Sequence, residues 1–270
     1  MIKHFFLFAT LVTVFTTLAQ STAVIPTGIS VAGTSVSDSR NFTAFSNTAT
    51  LSYISGGEAG VMFENRFLLK ELSTKVVQVA YSFPFVSAGI QFSYMGYPLY
   101  HEMLTGVGFA RNFSDKFALG VQFNYFSAYF TGINAYRSAF FPQIGIILNI
   151  TPRTIIGFST FNPFQANIKS TTLEKRIPSV FSLGTQHFFS DDLVWRVQAD
   201  KEINSFYRIA SGFEYNISGF MTAKLGACYN SYLVMCLGTG FKFADFYFDV
   251  NAELHPIAGV NLLSALRYKF

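Results

Sequence analysis

The last ten residues, Asn261 to Phe270, constrain the fold more than any other stretch. Read at alternate positions, Leu262, Leu266, Tyr268 and Phe270 share one face, with Ser264 its only polar member. Asn261, Arg267 and Lys269 share the other face with Leu263 and Ala265. Successive side chains of a strand point to opposite faces, so this is a strand with a greasy side and a charged side. It finishes on an aromatic residue. An amphipathic strand left as a free edge invites pairing with other chains. Pairing the last strand with the first closes the sheet and removes that edge. The expectation is an all-β chain, a transmembrane antiparallel β-barrel closed by this segment.

Composition agrees once it is read together with pattern. The chain of 270 residues is half hydrophobic and carries 33 Phe and 14 Tyr, and its mean hydropathy is +0.33. A spanning helix needs about 20 consecutive apolar residues. Past the N-terminus no such run occurs, and the apolar residues are spread in alternation instead. The formal charge of +4 comes from scattered residues rather than a basic cluster, which gives no argument for nucleic acid. At the start, Lys3, the apolar run Phe5 to Leu18, and the small residues Thr17 and Ala19 have the form of a secretory signal peptide, residues 1–19. Residues 20–57 are rich in Ser, Thr, Asn, Gly and Ala and alternate poorly.

From residue 58 onward the barrel is expected. The alternating segments are 59–67, 73–83, 86–97, 102–113, 116–130, 139–150, 153–164, 179–189, 193–203, 205–217, 220–230, 233–243, 246–254 and 261–270. That is about fourteen strands, an even number as single-chain bacterial barrels have. A soluble sandwich also alternates, but faces this rich in Phe and Tyr overfill a core about 10 Å thick. They suit a lipid-facing belt with aromatic girdles. Charged residues must then face inward, because Arg or Lys toward mid-bilayer lipid costs about 2–4 kcal/mol. Parity places Glu64, Arg66, Arg196, Asp200, Arg208, Glu214, Lys224, Lys242, Asp249, Glu253, Arg267 and Lys269 inside, with Lys201 the exception, near an interface. Two readings of these charges stand: a mutually neutralising network that pins a plug, or a polar path for a ligand. Glu64 and Arg66, at i and i+2, form the densest pair.

No catalytic constellation emerges. His101, His187 and His255 each sit in or beside a turn, and there is no Gly-x-Ser-x-Gly and no metal-ligand spacing. The chain is read as a non-enzyme without metal or cofactor. Cys228 and Cys236 lie equidistant from a turn centred on Tyr232, so they are expected to oppose each other across a hairpin, either disulfide-bonded or as two free apolar residues. Pro84 and Gly96-Tyr-Pro98 mark turns or an opening in the wall for sideways exit.

The poorly alternating N-terminal stretch carries a resemblance. Val31-Ala-Gly33-Thr-Ser-Val-Ser-Asp38, followed by Asn47-Thr-Ala49-Thr-Leu51, resembles the N-terminal signature of the FadL/PorV-type outer-membrane superfamily, with Thr48 where the family has Pro. The sequence near Glu64 to Phe67 and Lys70 to Leu72 looks like PorV-like proteins of Bacteroidetes-type bacteria. The terminal Tyr268 and Phe270 resemble the aromatic-ended signal read by the barrel-assembly machinery during insertion. The resemblance implies a fourteen-stranded barrel in the outer membrane of a Gram-negative bacterium, in contact with its lipid, with residues 20–57 as a lumenal hatch. In that picture Glu64, Arg66, Arg196, Arg208, Glu214, Asp249, Glu253 and Arg267 contact the hatch or line the lumen. It implies a channel for small hydrophobic compounds or, alternatively, a subunit that holds substrate proteins in a type IX-like secretion or assembly complex. The loop 165–178 is mostly polar, which makes a greasy capture groove less evident. A soluble secreted sandwich is the third alternative.

Overall fold

Strict alternation over segments this long gives strands with one apolar and one polar face, and the chain joins them edge to edge. The computed structural model describes residues 24–43, 45–114, 116–131, 135–169 and 174–270. The expected signal peptide lies outside them. The barrel strands are β1 (Gly57–Asn65), β2 (Ser73–Ser82), β3 (Ser87–Tyr97), β4 (Tyr100–Phe113), β5 (Phe117–Phe130), β6 (Ala135–Thr151) and β7 (Thr154–Phe161). A small hairpin follows, β8 (Asn167–Lys169) and β9 (Glu174–Arg176). The barrel resumes with β10 (Val180–Phe188), β11 (Leu193–Glu202), β12 (Tyr207–Ser218), β13 (Met221–Asn230), β14 (Tyr232–Phe243), β15 (Phe246–His255) and β16 (Gly259–Lys269).

Fourteen strands pair antiparallel in chain order, with β7 joined to β10 across the inserted hairpin, and β1 joined to β16. The closing ladder runs from Glu58 opposite Lys269 to Asn65 opposite Leu262. Phe270 adds two backbone bonds with Gly57, at 2.6 and 2.9 Å. The C-terminal segment therefore leaves no open edge.

Burial is inverted relative to a water-soluble protein. Phe123, Phe140 and Tyr215 are 62%, 75% and 50% exposed, whereas Gln122, Gln143 and Arg196 are fully buried. Exposed Phe and Tyr on nearly every strand make a lipid-facing surface, and the polar residues face the lumen. Aromatic stacks mark both rims. His101 stacks between Tyr94 and Tyr129 at one end, and Phe246, Tyr268 and Phe270 stack at the other.

The two ends differ in their connections. Short turns close the end that carries Gly57 and Phe270. The opposite end holds the longest connection, residues 162–179, which includes β8 and β9. This is called the loop end below.

Several expectations are corrected here. β1 stops at Asn65, because Phe67 and Leu68 take left-handed backbone angles of φ 56° and 58°. Arg66 thus sits in a turn rather than on the strand face. Residues 135–138 belong to β6, ahead of its expected start at 139. β2 and β3 pair unbroken from Ser82–Ser87 to Thr74–Met95, leaving Pro84 and Pro98 in turns with no opening between the strands. The β13–β14 turn centres on Ser231, not Tyr232. Cys228 accordingly faces Val234, and Cys236 faces Gly226. The two cysteines are diagonal rather than opposed, and both are free thiols.

Candidate functional site

The N-terminal segment, residues 24–53, runs inside the barrel. It has little regular structure, only short 3-10 turns at Val31–Gly33 and Thr48–Tyr53. Its residues are nonetheless among the most buried in the chain: Val31, Asp38, Asn47, Ala49 and Leu51 are inaccessible to solvent. An irregular backbone so enclosed needs partners for its N–H and C=O groups. A set of inward amides supplies them, since each amide side chain both donates and accepts. Gln78 donates to the Phe42 carbonyl, and Gln143 to the Ser46 carbonyl at 2.6 Å. Gln91 accepts from the Phe45 amide at 2.6 Å, and Gln198 from the Val36 amide at 3.0 Å. Asn47 joins segment and wall, donating to Val36 O within the segment and to Ile146 O on β6 and accepting from the Ala49 amide.

Charges hold the same segment near its middle. The Arg196 guanidinium reaches Asp38 at 3.0 Å and Glu214 at 2.7 Å, and its Nε donates to Gln186 at 2.6 Å. Asp38 also accepts from Ser30 Oγ, Asn41 Nδ2 and the Arg40 amide. Burial alone would raise the Asp38 carboxyl, but Arg196 and these hydrogen bonds together outweigh it and hold it below the ordinary value. A second network joins Lys224 to Asp249 at 2.7 Å and Arg267 to Asp249 at 2.9 Å, with Glu58 beside Arg267. From it, Lys224 and Asn251 both donate to Ile29 O.

Close approach is the third device. A Cβ on Gly145 would strike Asn47 and the Ala49 amide, and one on Gly120 the Thr48–Ala49 backbone. These wall glycines let segment and barrel touch backbone to backbone. Gly33 has φ 62°, and a side chain there would meet the Arg208 guanidinium.

Toward the loop end the lumen changes. Glu64 accepts from the Thr27 amide and hydroxyl and from Arg66 Nε at 3.0 Å, while Arg66 Nη2 donates to Ile25 O at 2.8 Å. Arg208 bonds Asp200 at 2.7 Å and donates to Ala32 O. Glu253 accepts from Asn261. Arg66, Asp200, Arg208 and Glu253 line a cavity of about 890 Å³, whose apolar lining includes Ile25, Phe45, Met95, Phe130, Phe161 and Phe206. Lys175, Arg176 and Pro178 of the 162–179 connection line it. Ile168 and Ile177 are buried against the cluster containing Phe126, Phe141 and Phe161. Asn162 ties the connection to itself through Ala166 and Ile177. Lys175 reaches across to Glu102 and the Tyr100 hydroxyl on β4.

The sequence-derived residues fall into separate groups. Asp38, Arg196 and Glu214 meet in one ion cluster, and Asp249 and Arg267 in another. Glu64 and Arg66 meet although Arg66 is off the strand. Lys242 is exposed and lies over the Tyr247 ring. Lys201 donates to Ser205 O at the loop end. The three histidines stay apart: His101 lies beside Tyr136, His187 beside Thr154, and His255 in its own turn. Sequence reasoning missed Glu58, Glu102, Lys175 and the wall glycines. Glu102 had a signal, since it alternates with Leu104 on β4, the strand that also carries Tyr100.

No protein-family model matches the chain, and no curated protein matches it in sequence. Solved structures do match in shape. The deltaS2 mutant of the monoaromatic hydrocarbon channel TodX superposes with a TM-score of 0.70 at 11% identity, over 93% of this chain and 99% of that one. The Pseudomonas putida toluene transporter TodX gives 0.63 at 11% identity, over 92% and 96%. A Pseudomonas aeruginosa FadL homologue gives 0.63 at 11% identity, over 84% and 93%. The fold is that of the FadL-type barrels. At these identities the likeness concerns architecture, and the contacts that fill the lumen are read from the chain itself.

Proposed function

We propose that the chain is an integral outer-membrane channel of a Gram-negative bacterium that passes small hydrophobic compounds, with the N-terminal segment as its hatch. The observation that carries the reading is the loop-end cavity of about 890 Å³, floored by the segment and lined by aromatic and aliphatic side chains interspersed with charged and polar ones. Ligand pockets are typically concave and mostly apolar with a few placed polar groups. Longer connections of bacterial barrels are extracellular, so the cavity opens to the outside and the segment separates it from the periplasm. The similar structures include a monoaromatic hydrocarbon channel and a toluene transporter, which makes aromatic hydrocarbons the first compounds to try. Insertion by the barrel-assembly machinery, with Tyr268 and Phe270 as the recognised end, belongs to the same reading.

The test is uptake of radiolabelled toluene at low concentration by cells that produce the protein and by otherwise identical cells that lack it. Faster initial uptake in the producing cells supports the channel. Equal rates, with a second protein copurifying, would instead favour a substrate-holding subunit of a secretion or assembly complex.

A further inference from the structure

Four carboxylates line the cavity among the described residues: Glu102, Asp200, Glu202 and Glu253. Only Glu102 is fully buried, at 1% exposure. Asp200 has both oxygens occupied, one by Gln198 and one by Arg208. Glu102 is different. The Tyr100 hydroxyl and the Lys175 ammonium both converge on its Oε1, and its Oε2 has no hydrogen-bond partner.

A buried acceptor without a donor is costly, because it has given up its water and gained no partner. Its cross-strand neighbours, Met95 on β3 and Ala128 on β5, carry no donor, and the Lys175 and Tyr100 donors are engaged at Oε1. Lys175 forms an ion pair with Glu102, so the carboxylate already has its countercharge. What the spot lacks is one neutral donor on an apolar body.

We infer that the cavity selects apolar compounds bearing a single hydroxyl, a phenol or a comparable alcohol, whose O–H donates to Oε2 of Glu102. This rests on the channel reading above and names its substrate class. A plain hydrocarbon fills the same walls but leaves Oε2 unpaired. A carboxylate ligand has no proton to donate and sets a second anion beside Glu102.

The experiment is equilibrium binding to the full protein in lipid nanodiscs, with empty nanodiscs as blanks, using three ligands that share one ring: p-cresol, toluene and p-toluate. A hydrogen bond to a charged group contributes about 1.5–3 kcal/mol, so p-cresol is expected to bind roughly 10- to 100-fold tighter than toluene. p-Toluate is expected to be weakest. Glu102→Leu is expected to bring p-cresol down to the affinity of toluene while toluene binding persists. Glu102→Gln keeps an acceptor and is expected to retain part of the preference. Toluene binding as tightly as p-cresol to the unaltered protein would overturn the inference and leave the channel reading standing. Binding of none of the three would overturn both. If either variant fails to fold, seen as loss of the heat-dependent gel shift, the comparison on the unaltered protein still decides.

Discussion

The two halves of this lumen are built from the same strands yet behave as different materials. On β5 the inward residues run Gly120, Gln122, Asn124, Phe126 and Ala128 toward the loop end, and on β6 they run Gly145, Gln143, Phe141 and Ala139. On β3 the order is Gly89, Gln91, Ser93 and Met95. Near the termini the wall is glycine, amide and paired charge, and a polar chain fills it. Near the loops aromatic and aliphatic side chains join the charged ones in the wall, and a cavity is left. Period-two alternation fixes only which residues face inward. The gradient along each inner face decides where the segment binds and where a cavity is left.

The largest expected effect comes from breaking the filled half at its centre. Arg196→Leu leaves Asp38 and Glu214 as buried, unpaired carboxylates, a change that costs about 3–5 kcal/mol. The N-terminal segment is expected to leave the lumen, seen as protease cleavage within residues 24–53 and a marked rise in planar-bilayer conductance, while the barrel keeps its heat-dependent gel shift. Persisting protection would show that Arg196 is dispensable for seating the segment.

Gly145→Leu attacks the same half through shape. Its side chain overlaps Asn47 and Ala49, and overpacking of this kind costs about 1–3 kcal/mol. Conductance is expected to rise, though less than for Arg196→Leu. Gly219→Leu serves as control, since nothing surrounds that position within 4 Å. Equal effects of the two would discount backbone contact as the cause.

Arg66→Ala tests the boundary between the halves. Glu64 keeps its two bonds from Thr27 when Arg66 is removed, so only a small conductance increase is expected. An increase as large as that of Arg196→Leu would move the main anchor to the loop end.

Acid should act last and weakly. Asp38 is held below its ordinary carboxyl value. Its contribution is therefore present above the ordinary value and is lost as pH falls through the lowered one. Protease protection of the segment is expected to hold near neutrality and to decline only below about pH 4. Loss of protection near pH 6 would point to another group.

Much of the wall was legible in the sequence and little of what happens inside it. All fourteen strands follow from alternation, because a lipid-facing side and a polar side repeat at every second residue. Ion partners did not follow, since parity says that Arg196 and Glu214 face inward but not that Asp38 meets them. Glycine has no side chain and carries no hydropathy parity, so the positions where segment and wall touch left no mark. The cysteine register failed because moving a turn centre by one residue moves the pairing by two. The 162–179 connection reads as polar, yet Ile168 and Ile177 turn inward and bury themselves. The role of Glu102 did not follow because its partner Lys175 comes from a connection 73 residues away, which parity along β4 does not reveal.

The central claim is that the hollow half receives a small apolar molecule. Native mass spectrometry of the protein, extracted gently from the membrane that carries it, tests this most directly. The account expects a small apolar mass bound to the intact chain and lost when Val180→Trp fills the cavity. An empty chain in stable complex with another protein, unchanged by Val180→Trp, would contradict it.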